Sequence, residues 1–268
     1  MQVKLLVSDL DGTLLKIGDQ YSAGVSEENK TAIKEFVRSG NIFAVATARG
    51  IDYKEELEQV LGFEIDYVGN NGAVIKIQDR QRKHIIPNKL VKKVQDIAKE
   101  EKLNLTVSIN ADEGFFYVPT SCYPFDDKNS NHNGEFLEKF AERYKEGPNY
   151  HVTKIMALVN PNEVNKVKEI LKKYLGNELE IVLSDVDLID MTLKGCSKGN
   201  GVKELAEMYN IPEHFVGVVG DTENDVSMFV NFKNSYCMNH ATEEVKKEAT
   251  TIVNSVKEAL DIFQKIDG

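Results

Sequence analysis

The chain has 268 residues, 41% of them hydrophobic, with three cysteines and a formal net charge of −10 at pH 7. Such length and apolar content are enough for one large domain or two ordinary ones and exclude a disordered chain, and the acidic balance works against a general nucleic-acid binder, whose affinity rests on a basic surface. No apolar run reaches the roughly 18 residues of a membrane span and a strand pattern starts at once, so the sequence predicts no membrane segment, no secretory signal and a cytoplasmic protein.

Taken in chain order, the first 77 residues alternate short apolar runs with helical patterns. Leu5–Ser8 reads as a strand that ends on Asp9-Leu10-Asp11-Gly12-Thr13. In an extended chain residues two apart share a face, so Asp9 and Asp11 can converge on one ion or one phosphorus atom while Gly12 lets the backbone turn away. The same residues also make an ordinary strand-ending turn. Ser26 caps a predicted helix to about residue 39, followed by a strand over 42–46, a helix over 52–61 and a strand over 66–68 closed by the turn Asn70-Asn71-Gly72.

Residues 82–190 change texture. They predict a helix over 89–101, strands near 105–109 and 115–118, an irregular Pro/Asn/Asp stretch over 119–133 and a helix near 135–144. A strand over 152–159, a helix after Pro161 and strands over 179–183 and 188–192 follow. The α/β pattern then returns: a helix over 198–209, a strand over 215–219, a short helix over 225–230, a strand over 235–238, and the run 243–248, 252–253 and 256–264. Strand–helix alternation with short connections implies right-handed crossovers and a mostly parallel, Rossmann-like sheet. The predicted organisation is an α/β core of residues 1–81 and 191–268 with an α+β unit, 82–190, inserted in it and a ligand cleft between them; one continuous sheet is the alternative.

Four groups share one structural address: Asp9 and Asp11 after the first strand, Thr47-Ala48-Arg49 after the second, Lys198-Gly199 opening a helix, and Gly220-Asp221-Thr222-Glu223-Asn224-Asp225 after a late strand. In an open α/β sheet, ligands gather beyond the carboxyl ends of the strands. These residues resemble the four motifs of the haloacid dehalogenase-like hydrolases, specifically the Cof-type sugar-phosphatase branch, and the likeness covers essentially the whole chain. Asn71-Gly72-Ala73 and Met238-Asn239-His240-Ala241 are similar to weaker landmarks of that branch, and the insertion resembles its large cap domain.

The resemblance implies a Mg2+-dependent phosphatase acting on small phosphorylated metabolites, with sugar phosphates foremost. Asp9 would be the nucleophile, forming an aspartyl-phosphate, and Asp11 the acid/base group. A carboxylate about 4 Å from a phosphate dianion is repelled by roughly 8 kcal/mol at an effective dielectric near 20, so a counter-charge is required. The family pattern gives Mg2+ the Asp9 carboxylate, the Asp11 backbone carbonyl and Asp221, with Asp225 either behind them or reaching the ion through water. Thr47 and the N–H groups of Leu10 and Ala48 would hold phosphate oxygens, Asn224 would orient either phosphate or Asp221, and Lys198 would offset charge on Asp9 and phosphate.

Plainer readings stand beside these. Lys198-Gly199 could be surface, Thr47 a helix cap, and Arg49 either a phosphate neighbour or a structural salt bridge. The acidic loop 221–225 is not an EF-hand, because Val226 stands where that loop requires glycine. His84, His132, His151, His214 and His240 show no i, i+4 pairing and receive no metal or base role. The Phe/Tyr run over 114–118 reads as core of the inserted unit; Tyr123 and the loop 126–133 read either as substrate contacts or as a connection. Cys122, Cys196 and Cys237 lack C-x-x-C spacing and read as reduced.

Rival functions are a phosphomutase or other phosphotransferase on the same scaffold, a phospho-accepting signalling domain, and a catalytically dead binding protein, although no essential carboxylate is missing. Two departures from the branch pattern, His240 and Asn254-Ser255-Val256, bear on loop shape. The expected assembly is a monomer or a weak homodimer.

Overall fold

The computed structural model describes residues 2–15, 24–111, 114–118 and 151–266, with backbone alone for 114–118. It divides into two compact units, residues 1–83 with 196–268, and residues 84–195.

In the first unit an eight-stranded sheet runs in the order β13-β12-β11-β1-β2-β3-β4-β5. Six strands are parallel: β1 (Leu5–Ser8), β2 (Ile42–Ala46), β3 (Asp66–Gly69), β11 (Val216–Gly220), β12 (Asn234–Met238) and β13 (Thr251–Val253). β1 pairs with β2 on one side and with β11, from far along the chain, on the other. The chain order reverses between β1 and β11, which makes the space beyond their carboxyl ends a switch point.

A central parallel strand is buried on both faces, so it needs an unbroken apolar run where a half-exposed strand would alternate. β1 meets that demand: Leu6 enters the cluster formed with α1 (Glu27–Arg38), α2 (Tyr53–Leu61) and α8 (Val256–Phe263). Leu5 and Val7 enter the opposite cluster with α5 (Lys198–Tyr209) and α6 (Val226–Asn231). Helix starts follow the expected capping logic: Ser26, Ser197 and Ser255 each accept a hydrogen bond from the backbone N–H three residues on.

The antiparallel hairpin of β4 (Val74–Ile77) and β5 (Arg80–Lys83) is absent from the sequence reading. β5 is Arg-Gln-Arg-Lys at the sheet edge; an edge strand with both faces in water carries no hydrophobic period, and its charge guards against strand addition.

The second unit is a five-stranded antiparallel sheet in the order β7-β6-β8-β10-β9. Its strands are β6 (Leu105–Ala111), β7 (Gly114–Val118), β8 (Val152–Val159), β9 (Leu179–Asp185) and β10 (Leu188–Leu193). Alternate residues such as Val107, Ile109, Ile155, Ala157, Ile189 and Met191 pack with α3 (Asn88–Glu100) and α4 (Val164–Leu175). β10 runs past residue 190, so that junction lies at 195/196 instead of 190/191. The expected helix over 135–144, the stretch 119–133, Tyr123, His132 and Cys122 lie outside the described residues. The α/β core and α+β unit match the expected fold class.

Among the described residues no helix is long and apolar enough to cross a membrane. Cys196 and Cys237 are buried; burial, with Asp221 and Asp225 nearby, pushes the Cys237 thiol up to about 11.

Candidate active site

The first strand delivers Asp9 by ending cleanly. Asp9 N–H donates to Val219 O at 2.8 Å, the last rung toward β11, after which Thr13 N–H and Leu15 N–H fold back onto Leu10 O. Gly12 makes the reversal at φ +87°, and a Cβ there would lie 2.4 Å from Asp221 Oδ2. Both the left-handed backbone and the contact with the neighbouring loop therefore require glycine.

Lys198 opens α5 behind its Ser197 cap and is buried. Its Nζ donates to Asp9 Oδ1 at 2.6 Å and to Asp225 Oδ1 at 2.7 Å. The other Asp225 oxygen accepts from the backbone N–H groups of Asp221, at 2.9 Å, and Thr222, at 3.0 Å. A short helical turn, Glu223–Asp225, with a reciprocal Thr222/Asp225 capping box sets that geometry. Asp225 thus buttresses both Lys198 and the Asp221 loop.

One oxygen from each of Asp9, Asp221 and Asp225 lies within 4.8 Å of the others. Asp11 is drawn elsewhere: its side chain is half exposed and held as a fork by Arg49, Nε to Oδ2 at 2.9 Å and a terminal nitrogen to Oδ1 at 2.5 Å. Arg49 stacks 4.1 Å above the Tyr53 ring. The salt bridge, one of the two readings of Arg49, is thus present.

Thr47 is buried at the end of β2, donating its N–H to Val68 O and accepting from Asn71 N–H, while its hydroxyl oxygen accepts from Arg49 N–H at 3.1 Å. Ala48 follows on the same turn, and Leu10 sits fully buried between Asp9 and Asp11. The Asn224 amide donates to Asn71 Oδ1 at 3.4 Å and its oxygen accepts from Thr222 Oγ1 at 2.9 Å. It ties two loops together.

Two contacts were missed in the sequence. Thr13 Oγ1 donates to Asp221 Oδ1 at 2.7 Å, and His240 Nε2 lies 3.2 Å from Asp221 Oδ2. The signal available for His240 was its address, just after β12, which pairs with the β11 that leads into Asp221. Searching for i, i+4 histidine pairs cannot find a residue whose partner comes from the next strand.

Three carboxylates cluster here beside one buried ammonium, which bonds Asp9 and Asp225. Burial and the Asp225 charge hold the Asp9 carboxyl well above the usual carboxylate range, against the pull of Lys198. Burial and Asp225 also raise Asp221, opposed by its bonds to Thr13 and His240. Burial works to lower Lys198, yet Asp225 and Asp9 outweigh it and raise the ammonium above an ordinary lysine. Such a set of hard oxygens with more carboxylates than cations fits a divalent cation of the magnesium type.

A family model described as haloacid dehalogenase-like hydrolase matches residues 6–261. The chain is 26% identical to the phosphatase YwpJ of Bacillus subtilis over 94% of this chain and 95% of that protein. Among solved structures, it resembles a haloacid dehalogenase-like hydrolase from B. subtilis with a TM-score of 0.79 at 22% identity, covering 99% of this chain and 100% of that one. It also resembles the subclass IIB sugar phosphatase BT4131, with a TM-score of 0.75 at 20% identity, covering 98% and 100%.

Proposed function

We propose, from the premise that this chain belongs to the haloacid dehalogenase-like hydrolases and is a phosphatase, that it hydrolyses phosphate monoesters of small metabolites, sugar phosphates foremost, with Asp9 as nucleophile and Mg2+ as cofactor. The observation that carries this reading is the buried Asp9 carboxylate, 2.6 Å from Lys198 and grouped with Asp221 and Asp225 at the carboxyl ends of β1 and β11.

An Asp9 oxygen attacks phosphorus, the ester P–O bond breaks, and the departing alkoxide takes a proton from Asp11. Water then attacks the aspartyl-phosphate, gives its proton to Asp11, and the P–O bond to Asp9 breaks to release inorganic phosphate. Lys198 holds positive charge beside the transferring group, and the Thr47 turn with the N–H groups of Leu10 and Ala48 binds its oxygens. Mg2+, held by Asp9, the Asp11 carbonyl and Asp221 with Asp225 beside them, supplies the charge that lets one anion attack another. Asp11 performs its proton transfers only after its fork with Arg49 opens, and an incoming phosphate dianion is a natural competitor for that guanidinium. The sugar-phosphate preference is supported by the likeness to BT4131.

The test is Asp9→Asn assayed on a panel of hexose, pentose, nucleotide and cofactor phosphates with added Mg2+. The variant is expected to keep its far-UV spectrum and lose turnover on every ester the wild type cleaves. Metal-dependent hydrolysis surviving in Asp9→Asn would sink the nucleophile, wild-type activity unaffected by EDTA would sink the metal, and transfer to a second sugar hydroxyl would make the enzyme a mutase.

A further inference from the structure

We propose that His240, together with Thr13, is a positioning residue that holds the Asp221 carboxylate in one orientation for the divalent cation; this rests on the metal-dependent reading above.

The three clustered carboxylates are not held alike. Lys198 bonds Asp9 and Asp225, whereas the side-chain bonds to Asp221 come from Thr13 on Oδ1 at 2.7 Å and His240 on Oδ2 at 3.2 Å. An ionised carboxylate only accepts hydrogen bonds, so Nε2 is the protonated ring nitrogen and donates. With each oxygen tied to a different loop, the carboxylate cannot turn about its last bond without breaking both contacts. Each oxygen can accept about two hydrogen bonds and therefore keeps capacity for a cation.

The backbone that carries the ring is held on both sides. On either side of His240, Asn239 N–H donates to Val253 O at 2.8 Å and Ala241 N–H to Met238 O at 3.0 Å. His240 is about a third exposed while Asp221 is buried, so the imidazole stands at the rim of the site and reaches inward. Gly12 packs against the same oxygen, Oδ2, so closely that no side chain fits there. A threonine, a glycine and a histidine from two loops thus enclose one metal-facing carboxylate. Orientation of this kind lowers the ordering cost of binding, and removing partners that orient a metal ligand typically weakens the metal by roughly ten- to a hundredfold.

Calorimetric titration of the full chain with MgCl2, without substrate, decides the matter for wild type, Asp221→Asn, His240→Ala and His240→Gln. Glutamine places an amide nitrogen near the position of Nε2. Expected are loss of saturable binding in Asp221→Asn, about a tenfold weaker Kd in His240→Ala, a return to within about threefold of wild type in His240→Gln, and metal-free Tm values within a few degrees of each other. A His240→Ala Kd equal to that of wild type, or a His240→Gln Kd as weak as that of His240→Ala, overturns the inference and leaves the magnesium site standing. Absence of Mg2+ binding by the wild type itself discards the metal reading, and this inference with it.

Discussion

The two aspartates of the first motif sit two residues apart yet have opposite surroundings. Asp9 is buried against Lys198, and Asp11 faces solvent in a fork with Arg49. Alternation along a strand put them on one face, but the chain leaves β1 at Ser8 and turns at Gly12, so Asp11 obeys the turn instead of the strand period. The Arg49 fork is partly exposed, which limits its worth to about 0.2–1 kcal/mol; its guanidinium matters more for the phosphate that competes for it. Arg49→Gln should therefore leave Tm within about two degrees and lower kcat/KM by roughly ten- to a hundredfold, since a hydrogen bond to a charged group contributes about 1.5–3 kcal/mol. Steady-state kinetics beside a thermal melt checks this, and an unchanged kcat/KM refutes it. Residue identity showed that carboxylates and a lysine belonged together. It could not show that Asn224 would tie to Asn71, or that Thr13 and His240 would hold Asp221, because those bonds join loops that meet only once the sheet is assembled.

At the scale of elements, α5 and α6 carry the strongest constraint. A Cβ on Gly199 would come within 2.0 Å of Ser227 O, so the two helices touch through backbone immediately after Lys198. In an exposed helix Gly→Ala gains about 1 kcal/mol from propensity. Here the clash is with backbone that cannot rotate away, and overpacking of that kind costs about 1–3 kcal/mol. Gly199→Ala is therefore expected to destabilise by about 1–2 kcal/mol in a urea melt and to lower kcat at least tenfold as Lys198 is displaced; greater stability with full activity would contradict the argument. Most elements were legible: α5 and β8 match their expected bounds, and α1 starts at the serine cap read from the sequence. The β4–β5 hairpin was not, because edge position, which the sequence does not state, excuses β5 from carrying an apolar face.

For the molecule as a whole, each unit has its own buried cluster: two flank the parallel sheet, and one lies between the antiparallel sheet and its helices. The grouped carboxylates, Lys198 and Thr47 all belong to the first unit. A ligand stabilises what must come apart to release it, by about 2.7 kcal/mol at a hundred times its Kd. Saturating Mg2+ with phosphate is thus expected to slow amide exchange in β1 and β11 by up to about a hundredfold and to leave β8 and β10 within a fewfold. Equal slowing in both units on hydrogen–deuterium exchange would place the binding energy elsewhere. By itself the sequence determined the fold class and the residue types of the chemistry, because a strand that must be apolar on both faces and an acidic turn at its end are local facts. Only the tertiary structure decided which oxygen meets which donor: that Lys198 bridges Asp9 and Asp225, that Arg49 takes Asp11, and that His240 reaches Asp221. These contacts span up to 189 residues of chain, and hydrogen bonds act over about 3 Å. No local pattern records a partner that the folding of the sheet alone brings within reach.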